Sequence, residues 1–301
     1  MILKTTKVSQ RTHCDSKPKN AERSDKMFDV NILSTGSKGN CVVIDDTIML
    51  DAGIPKGRII KSESYDLSKL EVLLVSHKHK DHANLPMIRW AITENIRVHL
   101  PHDVVKMIVD EGRLDIRPYM DVNVFVHENQ DTYPLTAELT GKMHPQKHHN
   151  IINYAFVLEK TVDDMLYRLL YSTDLDTIHP TDIGPGLVDL GMFDTIMLEG
   201  NYDEIWLRDY INVAISSVDN DMDTGILTDA ELDKWVRDHY NQLPKSVAAG
   251  LFRAVQNMRH LSKQQARMYA RAHLNKGGAY YEMHPSSMFY VRPDDWDTII
   301  Q

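Results

Sequence analysis

The chain has 301 residues, of which 42% are hydrophobic and 26% are charged, and its formal net charge is −9. This length is sufficient for one large α/β domain, and the acidic balance argues against non-specific binding of long nucleic acids, which favours basic surfaces. Two cysteines, Cys14 and Cys41, exclude a disulfide framework and a cysteine-based zinc site, so we expect a cytoplasmic protein. No apolar segment approaches the ~20 residues of a membrane span, and the N-terminus lacks the features of a signal peptide.

The first 26 residues are predicted to form a flexible basic tail. They contain seven Lys and Arg residues against three Asp and Glu residues, and hydrophobic periodicity is absent after Leu3. Such a segment has too few apolar side chains to join a folded core. The folded domain is therefore expected to occupy residues 27–301.

Ordered structure is predicted to begin with a strand at residues 28–33, followed by a loop of small residues at 34–40. Residues 41–44 and 47–53 are predicted to form a hairpin around an Asp-Asp turn. The second of these strands carries Asp51, whose carboxylate could bind a metal on the basis of residue type alone.

A cluster of metal-binding residue types follows the next predicted strand. Residues 70–75 form an apolar run with one charge, which is typical of a buried strand. Directly after it come His77, His79, Asp81 and His82. On a locally extended chain the first three share one face and His82 points the other way, which suits two adjacent metals better than one. This donor set suits Zn²⁺, with Mn²⁺ or Fe²⁺ as harder alternatives.

The pattern His-x-His-x-Asp-His at the end of a strand resembles the signature of the metallo-β-lactamase fold superfamily. The resemblance implies an α+β four-layer αββα sandwich with a metal centre. The loop at residues 34–40 resembles the Gly-Ser-x-Gly-Asn loop of one branch, and residues 50–53 resemble its Asp-x-Gly motif. In the family this Asp orders the metal-binding loop without itself being a ligand, which is the role that we expect for Asp51.

The next elements are predicted from their periodicity. Residues 85–94 and 102–111 have helical spacing, and residues 97–100, 123–126 and 136–143 are predicted strands. The second helix starts without a good capping residue, so its first residue is poorly determined by the sequence.

A tetrahedral site that includes His77 and His79 needs a third histidine from elsewhere in the chain. Three candidates stand close together, at His144, His148 and His149. We prefer His149, because the stretch His-Asn-Ile-x-Asn-x-Ala-Phe that it begins resembles the family stretch His-Asp-Val-x-Asn-x-Gly-Phe. His144 ranks second because it too follows a strand, and His148 ranks third.

Two further acidic segments follow predicted buried strands. The strand at residues 166–171 leads into Asp174, which resembles the family's metal-bridging aspartate. Asp176 is a weaker alternative for this role. The strand at residues 193–198 leads into residues 199–203, which resemble the Glu-x-Asn-x-Asp segment of the YycJ-like branch, known for exonucleases.

The sequence departs from this family pattern at about residues 203–257, which we expect to form a helical insert. Within it, Asp219, Asp221, Asp223 and Glu231 are spaced around a glycine, between two predicted helices. This arrangement resembles a calcium-binding EF-hand loop.

The resemblance to an EF-hand is imperfect, because Thr224 adds one residue before the glycine. An alternative interpretation needs no calcium. Thr228 and Glu231 have the spacing of a capping box at a helix start, and the preceding aspartates would then lie in a solvated turn. The sequence leaves both interpretations open.

Two histidines near the C-terminus are the remaining candidates. His260-Leu-Ser resembles the Gly-His-Leu-Ser motif of the YycJ-like branch, although Arg259 replaces the glycine, and Ser262 is the predicted cap of the next helix. In that branch the histidine contacts a phosphate or protonates a leaving oxygen; the alternative is a histidine that binds only backbone groups. The last predicted strand ends at His284, which resembles the histidine that completes the family's second metal site.

The resemblance therefore implies two divalent metal ions and seven protein ligands. The first ion would be held by His77, His79 and His149, the second by Asp81, His82 and His284, and Asp174 would bridge them.

We therefore expect a dinuclear metal-dependent hydrolase, most simply a phosphodiesterase acting on nucleic acid, as an exonuclease does, or on a small or cyclic nucleotide. Paired cations suit the charge of a phosphoryl transition state, Asp81 would orient the attacking water, and His260 would protonate the leaving oxygen. The alternatives are a hydrolase of lactones, thioesters or β-lactams, and a non-catalytic metal-stabilised binding protein. The expected partners are a nucleotide, DNA or RNA substrate, no membrane, and a second copy of the chain, because many superfamily members dimerise.

Overall fold

The computed structural model describes residues 27–112, 114–127, 132–219 and 227–291. The predicted basic tail at residues 1–26 lies outside these ranges. Within them the strands form two six-stranded sheets, and each sheet takes its strands from one half of the chain.

The first sheet contains β1 to β6 in chain order. The first three strands pair antiparallel as a meander, and β3 to β6 pair parallel through helical crossovers. The strands are β1 (Val30–Ser34), β2 (Cys41–Ile44), β3 (Ile48–Leu50), β4 (Val72–Leu74), β5 (Arg97–Pro101) and β6 (Val124–His127).

The second sheet has the order β12-β11-β10-β9-β8-β7. Strands β7 to β10 pair antiparallel, whereas β10, β11 and β12 are parallel. The strands are β7 (Tyr133–Pro134), β8 (Leu139–His148), β9 (Ile151–Val162), β10 (Met165–Ser172), β11 (Phe193–Glu199) and β12 (Leu274–Met283).

Three helices cover the outer face of the first sheet and one covers the outer face of the second. The alternation of side chains along β4 decides which face meets which layer: Leu73 packs toward the helices, whereas Val72 and Leu74 pack between the sheets. The first three helices are α1 (Lys56–Ser62), α2 (Leu85–Thr93) and α3 (His102–Asp110), and α7 (Lys263–His273) packs on β11 and β12. The predicted αββα sandwich is confirmed.

Three more helices lie in the segment for which the sequence predicts an insert. They are α4 (Glu204–Ser216), α5 (Asp229–His239) and α6 (Lys245–Asn257), and they share a separate core that includes Trp206, Trp235 and Phe289. Among the described helices, none combines the length and the apolar character that a membrane-spanning helix requires.

The clearest difference from the predicted elements concerns β8, which was expected at residues 136–143 but runs over Leu139–His148. The strand is longer because it pairs with β9 without interruption as far as His148 and Ile151. Pro145 is tolerated there because β7 pairs with β8 only at Thr140 and Gly141, so among the described strands this part of β8 has β9 as its only neighbour.

The packing of α4 against α6 predicts opposite effects for two glycine substitutions. A Cβ atom at Gly250 would come within 1.8 Å of the Tyr210 hydroxyl oxygen, whereas a Cβ at Gly57 in α1 would have no neighbour within 4 Å. Gly250→Ala should therefore lower the free energy of unfolding by about 1–3 kcal/mol through overpacking. Gly57→Ala, the matched control, should raise it by up to ~1 kcal/mol, because alanine favours helices. Chemical denaturation of both variants checks this, and a neutral Gly250→Ala would contradict the packing.

Candidate metal centre

The metal-binding residue types lie where strands of the two sheets end, at one edge of the sandwich. Parallel pairing of β10, β11 and β12 brings the carboxyl ends of these strands together, and the loop after β4 reaches the same edge. The residues collected there are His77, His79, Asp81 and His82 after β4, His148 at the end of β8, Asp174 after β10, Glu199 at the end of β11 and His284 after β12.

Asp51 lies beneath the loop that follows β4 and fixes its shape. Its fully buried carboxylate accepts hydrogen bonds from the Ser76 backbone N–H at 2.7 Å and from the Tyr171 hydroxyl at 2.8 Å. The same carboxylate lies 2.7 Å from Nδ1 of His82. A carboxylate on Nδ1 holds the proton there and leaves Nε2 of His82 directed at the centre.

The first group of side chains contains three histidines and one carboxylate. The ligand atoms of His77, His79, His148 and Asp174 all lie within 4.8 Å of one another. Nε2 of His77 is 3.1 Å from Nδ1 of His79 and 3.3 Å from Oδ2 of Asp174. This set of three imidazoles and one carboxylate suits a tetrahedral divalent cation.

The structure groups His148 with His77, His79 and Asp174, whereas His149, the choice made from the sequence, lies outside this group. His148 is the last residue of β8. The centroid of its ring is 5.3 Å from that of the His79 ring and 5.2 Å from that of the His260 ring. His149 occupies the two-residue turn before β9 with φ of 52°. Its backbone N–H donates to the Asp176 carboxylate. Its half-buried ring borders a cavity of about 550 Å³ that is also lined by His79 and Asp176.

The alternation of β8 explains this outcome. His144, Gln146 and His148 are buried on one face of the strand, and only the last of them reaches the edge where the other ligands lie. His144, the second candidate in the sequence, is buried but belongs to none of the described clusters of metal-binding residue types. Asp176, the weaker alternative to Asp174, lies 3.6 Å from Nδ1 of His148.

The second group shares Asp174 with the first. The ligand atoms of Asp81, His82, Asp174 and His284 also lie within 4.8 Å of one another. Nε2 of His284 is 3.1 Å from Oδ1 of Asp174 and 3.5 Å from Oδ2 of Asp81, and Nε2 of His82 is 3.1 Å from Oδ2 of Asp174. Asp174 is therefore the residue that the two clusters share.

Glu199 is a residue of this centre to which the sequence analysis gave no role. Its fully buried carboxylate accepts hydrogen bonds from the backbone N–H groups of Asp174, Leu175 and Leu261, at 2.6, 3.1 and 2.9 Å. These contacts join the loop after β10 to the segment that carries His260. A glutamate that directly follows a buried strand is the sequence signal that could have identified it.

His260 lies at the rim of the centre. Its Nδ1 is 3.3 Å from the Glu199 carboxylate and 3.8 Å from Oδ1 of Asp174. Burial opposes protonation of this ring, but Glu199 and the nearby aspartates outweigh burial and raise the pKa of His260 to about 9. An imidazole with a pKa in this range is charged near neutral pH and therefore has a proton to donate.

Within the protein itself, electrostatics favour an ionised Asp174 surrounded by histidines. Burial tends to raise the pKa of Asp174, but His284 and His82 outweigh burial and hold this pKa well below its usual value. Burial lowers the pKa of His77 to about 4, so this ring stays neutral. Burial also opposes charge on His82, but Asp174 and Asp51 raise the pKa of His82 well above its usual value. A bound cation would displace that proton, because metal ligands bind in their deprotonated form.

Two buried polar atoms test whether cations fit this centre. Oδ1 of Asp174 and Nε2 of His284 are buried, and neither has a hydrogen-bond partner among the described residues. Buried polar atoms are normally satisfied, and a cation bound by both of these atoms would satisfy them. The two clusters are therefore compatible with a dinuclear divalent metal site bridged by Asp174.

The proposed calcium loop lies largely outside the described residues, because Asp221 and Asp223 fall within residues 220–226. Of the other two candidates, Asp219 follows α4, and Glu231 forms the capping box of α5. The Glu231 carboxylate accepts hydrogen bonds from the backbone N–H and the hydroxyl of Thr228, both at 2.8 Å. The predicted capping role of Glu231 is present, and calcium binding stays a prediction.

Comparisons with known proteins agree with this architecture. The structure of the short form of human tRNase Z superposes with a TM-score of 0.50 at 15% identity, covering 88% of this chain and 95% of that one. The metallo-β-lactamase fold protein YhfI from Bacillus subtilis superposes with a TM-score of 0.40 at 15% identity, and the match covers 58% of this chain and 71% of that one. A diphosphatase of the PhnP family superposes with a TM-score of 0.39 at 15% identity, and the match covers 58% of this chain and 75% of that one. No curated protein sequence matches the chain significantly.

At 15% identity the likeness to human tRNase Z shows the fold alone. The YycJ-like branch stays a prediction. The family model for the β-lactamase superfamily domain, however, matches residues 47–242, which is more than half of the chain. The chain therefore belongs to the β-lactamase superfamily, whose metallo-β-lactamase fold is that of metal-dependent hydrolases.

Proposed function

We propose that this protein is a dinuclear metal-dependent phosphodiesterase that acts on a nucleic-acid end or a nucleotide. The observation that carries the proposal is the buried Asp174 carboxylate, which belongs to two clusters of histidine and aspartate side chains. A carboxylate in this position can bridge two cations ~3.5–4 Å apart, the spacing used in two-metal phosphoryl chemistry.

The residues that would hold the cations follow from the two clusters. His77, His79 and His148 would bind one ion, Asp81, His82 and His284 the other, and Asp174 both. We propose zinc, because imidazole-rich sets of low coordination number suit it best. When bound, the two cations would lower the pKa of an attacking water and neutralise negative charge that develops on the phosphoryl oxygens.

The chain's own groups would orient the reactants and move protons. Asp81 is the most accessible carboxylate of the two clusters, with 26% of its side chain exposed, so it can accept a hydrogen bond from the attacking water. His260 is directed at Glu199 through Nδ1, which keeps its other nitrogen available to protonate the leaving oxygen. Glu199 would hold His260 in its charged form until that transfer.

The structural similarity to human tRNase Z supports a nucleic-acid substrate, because that protein is named as a tRNase. The segments that resemble exonucleases of the YycJ-like branch support the same substrate class. The net charge of −9 instead favours a small substrate, or a nucleic-acid site that is confined to a local basic surface. We also propose that the protein resides in the reducing cytosol, because Cys41 is a free, buried thiol.

The two neighbouring histidines give a matched test of metal binding. Protein purified without chelators should contain about two equivalents of divalent metal, and His148→Ala should lose about one of them. His149→Ala should keep both, because His149 lies in the turn and outside the clusters formed with His77 or Asp174. Elemental analysis of the three proteins measures this. Equal metal loss in both variants, or loss in His149→Ala alone, would refute the assignment of His148.

Hydrolysis of bis(p-nitrophenyl) phosphate tests the reaction itself. We expect turnover by the metal-loaded protein, its abolition by a chelator, and a drop in kcat of about 10²–10⁴-fold in Asp81→Ala and His284→Ala. His102→Ala is the control, because His102 is an exposed residue at the start of α3. Metal at full occupancy with no turnover of any phosphodiester would redirect the assignment to another bond, such as a lactone or thioester, or to a binding role.

The contact between Asp51 and His82 predicts an effect on metal affinity without loss of a ligand. Asp51→Asn should weaken metal binding by about 10–100-fold, because it removes the charge that orients Nε2 of His82. Competition with a chromophoric chelator measures the affinity. Unchanged affinity in a folded variant would show that Asp51 serves only to hold the loop through Ser76 and Tyr171.

A further inference from the structure

A second cavity adjoins the metal centre on the side of His284. It has a volume of about 280 Å³ and lies between the last turns of α6 and the loop that follows β12. His260 and His284 form its inner wall, and Arg253 and Gln256, both exposed on α6, line it farther out. A group bound in this cavity would therefore contact the metal centre at one end and the helical segment at the other.

Arg253 is available to bind an anion there. It forms no ion pair with any described residue, and the acceptor nearest to its Nη1 is the weak thioether sulfur of Met288, at 3.9 Å. None of the described residues that line the cavity is an aspartate or a glutamate. A guanidinium without a carboxylate partner, at the side of a site that handles anions, is suited to hold a phosphate.

The larger cavity on the other side of the centre has the opposite character. It measures about 550 Å³ and borders His79 and His149, but its lining also includes Asp176 and Asp229. The arginine in this cavity, Arg259, is already paired, with its Nε 3.0 Å from Asp229. Repulsion from two carboxylates disfavours a second phosphate here, so the charge distribution favours the Arg253 side.

The floor of the Arg253 cavity offers hydrogen-bonding groups as well. Asn257 is only 8% exposed, and its Oδ1 is buried without a donor among the described residues, while its amide nitrogen donates to the Arg253 carbonyl at 2.7 Å. A hydroxyl group of a bound sugar would satisfy this acceptor. Ser37 and Ser287 add hydroxyl groups at the cavity wall.

We propose that Arg253 binds a second phosphate of the substrate, adjacent to the phosphodiester that is cleaved at the metal centre. This disfavours a cyclic mononucleotide, which carries only one phosphate and would leave Arg253 unused, and it favours an oligonucleotide end as the substrate. This inference rests on the proposed phosphodiesterase function. It also makes the helical segment at residues 203–257 a part of the substrate site, because α6 carries Arg253.

The test uses binding, so that it does not depend on turnover. The three probes are thymidine dinucleotides whose phosphorothioate linkage slows cleavage. One has no terminal phosphate, one has a 5′-phosphate and one has a 3′-phosphate. Calorimetric titration of the metal-loaded full chain should show that a terminal phosphate at one of the two ends tightens binding at least ~10-fold, the effect of a charge-assisted contact. The preference should shrink as salt is added.

Variants assign the effect to Arg253. Arg253→Ala should bind the probes with and without a terminal phosphate about equally, and Arg253→Lys should keep part of the preference. Arg271→Ala is the matched control, because Arg271 is an exposed helical arginine that lines a different cavity. Thermal melts of each variant verify that it is folded.

The outcomes separate the two proposals. If the terminal phosphate at either end gives no gain in the unmodified protein, or gives the same gain in Arg253→Ala, the subsite is refuted even if phosphodiesters are hydrolysed. If the gain depends on Arg253 but no phosphodiester is ever cleaved, the subsite stands as a nucleotide-binding site and the proposed hydrolysis is refuted.

Discussion

The structure depends on three buried carboxylates that are satisfied from several elements at once. Asp51, Asp174 and Glu199 are all nearly inaccessible to solvent, and a buried charge without partners is strongly unfavourable. Asp51 and Glu199 obtain their partners from backbone N–H groups and histidines of distant segments. Each carboxylate therefore ties together loops from different strands, and these ties determine where the histidines converge.

Asp174 differs from the other two because its partners are mostly ionisable rings. Oδ1 of Asp174 lacks a hydrogen bond from any described residue, although it faces Nε2 of His284 at 3.1 Å. Histidines bind a metal in their neutral form, so two divalent ions would supply the positive charge that these rings no longer give to Asp174. The fold thus provides clusters that are compatible with a divalent metal site around Asp174.

The helical segment at residues 203–257 gives this superfamily member its own surroundings. Its helices pack on one another around Trp206, Trp235 and Phe289, so the segment has a core that does not draw on the sandwich. Its C-terminal end nevertheless leads directly to Arg259 and His260 at the rim of the centre. The cavities beside the centre are therefore lined partly by loops of the sandwich and partly by residues of this helical segment and the turn that follows it.

The sequence by itself determined the strand ends and most of the residue types that cluster there, because apolar strands and the residues that follow them are local patterns, and the resemblance of these motifs to a known family implied the fold class. The tertiary structure alone decided that His148 rather than His149 joins His77 and His79, since the pairing of β8 with β9 determines which of two adjacent side chains faces the centre. It also decided the role of Glu199, whose hydrogen-bond partners lie up to 62 residues away in the chain. Contacts of this kind depend on how distant strand ends meet, and no local pattern in the sequence encodes that geometry.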